Sequence, residues 1–224
     1  MTQIAPRLAI YSANFGNYRN ELSKLETLQF DKEIDYYFFT DNESITSDNW
    51  KIIVHPLLPE LDFMDSFRHT AKYVKFVVPD ILKQYDVIVW IDTKSLHHIQ
   101  KISKEKIFNR INTIPYTMHL IKFPPRQTPQ QELKYTTNVG IECKESANVF
   151  LEKIRDMSFN AFLPDTTCII FKNTPDNIDV MHKIYDGLIE NRLRRDQNII
   201  QYVFYENKHE SNITSFIFSD IINQ

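Results

Sequence analysis

Short apolar runs closed by an acid or a turn residue mark the first half of the chain. Arg7-Leu-Ala-Ile-Tyr-Ser12 predicts a first strand, and Asn14-Phe-Gly-Asn-Tyr18 the turn after it. Asp35-Tyr-Tyr-Phe-Phe-Thr-Asp41 predicts a second strand, and Trp50-Lys-Ile-Ile-Val-His55 a third, stopped by Pro56. Residues 66–84 change period: Phe67, Ala71, Val74 and Val78 fall at i, i+4, i+7 and i+11, the pattern of a helix that Pro79 kinks or restarts. Asp86-Val-Ile-Val-Trp-Ile-Asp92 is continuously apolar between two acids. It reads as a buried parallel strand with a carboxylate at its C-terminal tip.

The second half is more mixed. Lys104–Asn112 predicts a short polar helix and Tyr116–Phe123 a strand ended by Pro124-Pro125. Pro129–Lys134 and Ser146–Met157 predict helices, and Thr166–Phe171 a strand. Asp176–Arg192 is a helix with Ile178, Met181, Ile184 or Tyr185, and Leu188 on one face. Asp196–Tyr205 predicts a second helix, and Ser215–Phe218 a last strand. This order predicts an α/β fold with a mostly parallel central sheet flanked by helices and a mixed C-terminal part. No repeat, linker or low-complexity tract divides it, so residues 1–224 are expected to form one domain.

Composition narrows the chemistry. A hydrophobic fraction of 42% and a charged fraction of 25% describe an ordinary globular protein. The net charge of −3 argues against nucleic acid as a partner. Only Gly16, Gly140 and Gly187 are glycines, which excludes both the dinucleotide fingerprint and the phosphate-binding P-loop. Cys143 and Cys168 form no metal-type pair or disulfide framework, which points to a reducing compartment. No apolar run reaches the ~18 residues of a membrane span, and the start carries no signal-peptide pattern. The sequons at Asn42 and Asn212 are accordingly read as chance.

Candidate chemistry gathers at predicted strand ends, where open α/β sheets bind ligands. Asp41 and Asp92 sit there, although either alone also suits a polar turn. Arg68, Lys72 and Lys75 form one cationic stripe, either a solvated face or a diphosphate counter-charge. Arg194-Arg195-Asp196-Gln197 places a guanidinium, a carboxylate and an amide together, which serves a helix start or an acceptor site. Asp165 is a turn residue or a second functional acid. His97-His98 follow Asp92 but make a poor bidentate metal site, though one of them has reach to a phosphate. Glu142-Cys-Lys144 matches an E-x-K of metal-dependent nucleases, a match common by chance.

Taken together, Tyr11-Ser-Ala-Asn-Phe-Gly-Asn-Tyr18, Phe39-Thr-Asp41, Arg68 with Lys72, Trp90-Ile-Asp92, Pro125-Arg126 with Glu132, Leu163-Pro-Asp165 and Arg195-Asp-Gln197 resemble the GT-A glycosyltransferase fold. More narrowly they resemble a family of glycosyltransferases first catalogued as a domain of unknown function, with plant members in cell-wall and mucilage metabolism. The resemblance covers about Arg7 to Tyr205. It implies that Ser12, Asn14, Phe15, Tyr18 and Asp41 hold the nucleoside of a donor, with Arg68 and Lys72 near its diphosphate. Asp92 takes the place of the first acid of the D-x-D motif and is the candidate metal ligand. Asp165, Asp196 and Gln197 face the sugar and the acceptor, with Asp196 and then Asp165 as catalytic carboxylates; Arg126, Glu132 and Arg195 join that side. Residues 1–95 would form the nucleotide-sugar half and 96–224 the acceptor half.

One position departs from the GT-A pattern: the motif reads Asp92-Thr93-Lys94, with a cation for the second acid. Two alternatives stay open. Mn²⁺ or Mg²⁺ is held by Asp92 with other ligands, a histidine among them, or Lys94 and Lys72 act in its place. The resemblance implies a hexosyl- or pentosyltransferase that moves sugar from a nucleotide-diphosphate donor, UDP by default, to a glycan hydroxyl. The expected setting is surface polysaccharide or glycan biosynthesis in a bacterial cytoplasm, or a viral enzyme in its host's cytoplasm. On this reading, Asn at Asp92 or Asp196 abolishes transfer without unfolding the protein. The alternatives are a non-catalytic sugar-nucleotide or glycan-binding module and, remotely, a metal-dependent nuclease using Glu142 and Lys144.

Overall fold

The structure is a computed structural model that describes residues 6–16, 30–114, 117–123 and 125–222. Seven strands form one sheet: β1 (Leu8–Asn14), β2 (Asp35–Thr40), β3 (Lys51–Val54), β4 (Val87–Ile91), β5 (Met118–Lys122), β6 (Pro164–Lys172) and β7 (Ile213–Phe216). Their order is β3-β2-β1-β4-β6-β5-β7. β3, β2, β1 and β4 pair in parallel, as do β5 and β7, whereas β6 is antiparallel to both β4 and β5. The expected mostly parallel sheet with a mixed C-terminal part is therefore present, and β6 alone runs against the rest.

Side chains alternate across the sheet because a strand has a period of two. Ala9, Tyr11, Tyr37, Phe39, Ile88, Trp90, Ile169 and Phe171 face one side. There they meet α1 (Ser66–Phe76), α3 (Pro129–Asn138), α4 (Lys144–Lys153), α5 (Pro175–Glu190) and α6 (Ile200–Glu206). Leu8, Ile10, Phe38, Val89, Ile91 and Ile170 face the other side, covered by the 3-10 segment Thr93–Lys101 and by α2 (Lys104–Thr113). β1 and β4 are buried from end to end, and each large side chain buried this way contributes about 1.5–3 kcal/mol.

Two expected helices are shorter than their periodicity suggests. α1 stops at Phe76, and a 3-10 turn at Asp80–Leu82 follows Pro79, which lacks the N–H to continue the ladder. Phe67, expected on the core face, is 42% exposed. The predicted helix over 196–205 divides into a 3-10 turn at Asp196–Asn198 and α6. Both cysteines are free. Among the described residues no helix is long and apolar enough to cross a membrane.

Candidate active site

The C-terminal end of β4 is the centre of the site. The Asp92 amide donates to the Thr167 carbonyl (2.8 Å), which locks the strand end against β6. Indole Nε1 of Trp90 donates to Asp92 Oδ1 (2.7 Å). Lys75, from α1, places Nζ 3.3 Å from that same oxygen and 2.9 Å from Asp196 Oδ2. Lys72, one turn earlier, lies 3.0 Å from Asp196 Oδ2. Thr166 Oγ1 donates to the same atom (2.8 Å). Asp92 Oδ2 faces Lys94, whose Nζ is 3.8 Å away.

The reversed strand makes this possible. β6 starts where β4 ends, so Asp165, Thr166 and Thr167 arrive beside Asp92. The ladder with β5 also breaks here: Leu120 pairs with Ile169, whereas Ile121 pairs with Asp165. Thr166 and Thr167 thus stand free of β5, a bulge of the kind that re-aims side chains next to sites. Asp165 Oδ1 accepts from Thr167 N (2.9 Å) and Thr167 Oγ1 (2.6 Å).

Electrostatics sort these groups. Burial would raise the Asp196 pKa, but the two ammonium groups and the hydrogen bonds from Lys75 and Thr166 hold it well below the usual carboxylate range. Burial lowers Lys72, and Lys75 beside it adds to that lowering, more than Asp196 restores. Lys75 goes the other way: two carboxylates outweigh its burial and raise it. The two lysines differ because only Lys75 touches both acids. Lys75 is the fixed charge of the cluster, and Lys72 is the one that gives up its proton more readily.

The 194–198 turn is built around two buried glutamates. Glu142 accepts from Arg194 N and Arg195 N (2.8 Å each) and from Asn198 Nδ2 (2.7 Å). Glu132 is fully buried and pairs with Arg126 through Oε2 and with Arg195 Nε through Oε1 (2.8 Å), the latter an ion pair without good hydrogen-bond geometry. The Arg126 guanidinium also lies 3.9 Å from the Tyr135 ring centre. Gln197 is buried in the same turn. Burial raises the Glu142 carboxyl despite its three donors. Glu142 is thus a clamp for this turn, and Lys144 merely starts α4. The nuclease alternative finds no support in this arrangement.

The loop after β1 forms the other wall. Ser12 and Asn14, expected in that loop, are still part of β1, and with Phe15 just beyond it they are buried. Asp41 Oδ1 accepts from Gly16 N (2.9 Å). Gly16 has φ +65°, and a Cβ there would meet the Phe67 ring at 2.4 Å. Tyr18 lies outside the described residues. Arg68 does not join its two stripe partners: it is exposed at the start of α1, its amide bonded to Asp65 Oδ1 (2.8 Å). His98 stacks on Phe218 with ring centres 4.1 Å apart, and His97 packs on it at 4.0 Å.

Lys75, Thr166 and Trp90 complete the cluster without having been singled out as site residues. For Lys75 the sequence does carry a signal: it sits between Val74 and Phe76, both of them core residues.

A divalent cation at this strand end is what the fold leads one to expect, and the side chains do not fit one. Asp92 Oδ1 already holds two N–H donors, its other oxygen faces an ammonium, and the second-acid position is Lys94. Among the described residues no three His, Cys, Asp or Glu side chains are placed to hold a metal ion.

No family model and no curated protein matches the chain, so the narrower resemblance to the former domain of unknown function gains no support. Solved structures do match. A glycosyltransferase involved in the glycosylation of the major capsid of PBCV-1 is 12% identical with a TM-score of 0.50, covering 94% of this chain and 82% of that one. The galactosyltransferase LgtC, crystallised with donor and acceptor sugar analogues, is 10% identical at 0.48, covering 92% and 72%. GlyE of Streptococcus pneumoniae TIGR4 is 10% identical at 0.44, covering 94% of this chain and 45% of its own. Identity this low speaks to fold alone, and the fold of this chain is the mixed α/β fold of GT-A glycosyltransferases.

Proposed function

We propose that the chain is a glycosyltransferase that moves a hexosyl or pentosyl group from a nucleotide-diphosphate sugar, UDP-linked by default, to a hydroxyl of a glycan. The observation that carries this reading is the α1 lysine pair, held by Asp196 against the acid at the end of β4. Cations fixed at a strand end suit a leaving diphosphate, whose charge grows as the sugar departs. The Ser12–Gly16 loop, Asp41 and Phe67 receive the nucleoside. Asp92 orients the donor.

In the reaction the bond from the anomeric carbon to the β-phosphate oxygen breaks, and its electron pair leaves with the nucleoside diphosphate. The acceptor hydroxyl oxygen takes that place on the carbon, and its proton passes to a carboxylate. Asp165 suits that role better than Asp196. Three donors crowd Asp196 Oδ2 and hold its pKa down, which makes it a weak base. Asp196 instead positions the lysines. Arg126, Glu132, Arg195 and Gln197 line the acceptor side. Residues 1–95 thus serve the donor and 96–224 the acceptor, within one domain, except that Asp196 crosses over to hold the donor lysines.

The setting we propose is surface polysaccharide or glycan synthesis in the cytoplasm of a bacterium, or of the host of a virus; the similar fold of a glycosyltransferase involved in the glycosylation of the major capsid of PBCV-1 is in keeping with the latter.

The test is transfer and donor hydrolysis across UDP-, GDP- and dTDP-sugars. Asp92→Asn should lower turnover by roughly 100-fold with unchanged thermal stability, because Asp92 is partly exposed. Full activity in that variant would overturn the assignment. Tight nucleotide binding without any turnover would favour the binding-module reading, for which the interrupted D-x-D is the motivating observation.

A further inference from the structure

The same site carries an inference about what neutralises the donor, and it rests on the glycosyltransferase reading above. Three ammonium groups surround two carboxylates at the end of β4. Lys75 bridges Asp92 and Asp196, Lys72 pairs with Asp196, and Lys94 faces Asp92. Asp165, brought in beside Asp92 by β6, has no lysine on it among the described residues, so the three ammonium groups are gathered on Asp92 and Asp196. Where a metal would need two free carboxylate oxygens, Asp92 offers one already saturated by Trp90 and Lys75 and one facing a cation. A divalent ion entering here would displace Lys94 and meet the like charge of Lys75 in a partly dry site, where such repulsion is little screened.

We propose that this protein binds the diphosphate of its donor without a divalent cation, and that Lys72 and Lys94 supply the counter-charge directly. The lysines divide the work by exposure. Lys75 is 4% exposed, so it acts as a positioning residue that tethers both acids. Lys72 is 17% exposed, close enough to the surface to reach a phosphate oxygen while its other face stays on Asp196. Lys94 is 51% exposed and free to swing from Asp92 onto an arriving phosphate. An ammonium meets phosphate as a point charge with three donors, so two of them replace the charge of one divalent ion without its fixed octahedral geometry.

The experiment is calorimetric binding of UDP, GDP and dTDP to the full chain, with EDTA and separately with Mn²⁺. A second variant, Lys94→Asp, restores the second acid on an exposed side chain whose loss does not threaten folding. The wild type should bind one nucleoside diphosphate equally well in both conditions. Lys94→Asp should bind it roughly tenfold more weakly in EDTA and recover with Mn²⁺. Wild-type binding that disappears in EDTA and returns with Mn²⁺ overturns this inference and leaves the glycosyltransferase reading intact. Equal binding by Lys94→Asp and wild type in EDTA removes Lys94 from the counter-charge and overturns it likewise. Absence of binding in both conditions overturns the donor reading and this inference with it.

Discussion

Asp196 decides much of what happens at the residue scale. Its oxygen holds two ammonium groups and a hydroxyl in a nearly dry environment. Removing one partner of such a buried arrangement leaves the others uncompensated and costs about 3–5 kcal/mol. Asp196→Asn should therefore lose stability in urea unfolding by about that amount, contrary to the sequence-based expectation that this variant stays folded like the wild type. The pH dependence has a definite sign. The folded pKa is depressed, so the contribution of Asp196 is present above the unfolded carboxylate value of about 4. It is lost as pH falls through the lower folded value. The acid side of the stability curve should be flatter in Asp196→Asn than in wild type; an identical slope would show that the ion pairs contribute nothing. Asp92 was legible because it ends an apolar strand in a sheet where a second strand, closed by Asp41, ends in an acid too, although either alone also suits a polar turn. The depth of Lys75 had only the weak signal of its apolar neighbours Val74 and Phe76. Arg68, Lys72 and Lys75 recur at helical spacing, and the spacing alone does not say which end of the stripe is wet. That is settled by a carboxylate 121 positions away in the chain.

Local rules read the elements well wherever burial was uniform. β1, β2 and β4 are buried almost from end to end and match their predicted spans closely. Helix ends were less legible, because caps and prolines act over one or two residues while periodicity is judged over a dozen. Phe67 shows the competing effect. It has the correct phase for the core of α1, yet it leaves that core to cover the bare backbone of Gly16. This contact is a glycine requirement with two parts, a positive φ and a close approach. Gly16→Ala should cost about 1–3 kcal/mol in chemical denaturation. In a Phe67→Ala background the steric part vanishes and the φ penalty of about 1 kcal/mol remains, so the cost should shrink. An undiminished cost would mean the ring does not confine the loop.

For the whole molecule, the sheet has two chemically different ends. The end of β4, with α1 and the start of β6, carries the charged cluster, while a cavity of about 500 Å³ opens at the opposite end of the sheet, lined by Lys83, Tyr85, Asp86, Phe108 and Lys172 among others. Size favours the cavity as a ligand site and chemistry favours the strand tips. We side with the chemistry, since the cavity gathers no comparable set of paired charges. Hydrogen exchange with a bound nucleoside diphosphate should slow the amides of 12–16 and 92–95 and leave 83–87 and 172–174 unchanged. The reverse pattern would move the donor to the cavity. The parallel half of this architecture was legible from its apolar runs. The reversal of β6 was not, because strand direction leaves no mark on composition. That reversal separates two kinds of freedom. The end proposed to hold the nucleotide rests on the tips of three strands, which cannot lengthen without breaking the sheet. The chain leading into β6 is a loop over 154–163, and it delivers Asp165 to the end of β4. On the proposed reading, lengthening or recolouring that one loop would change which glycan is accepted while leaving the donor untouched, so new acceptor preferences would be open to evolution, and to an engineer, through a single segment.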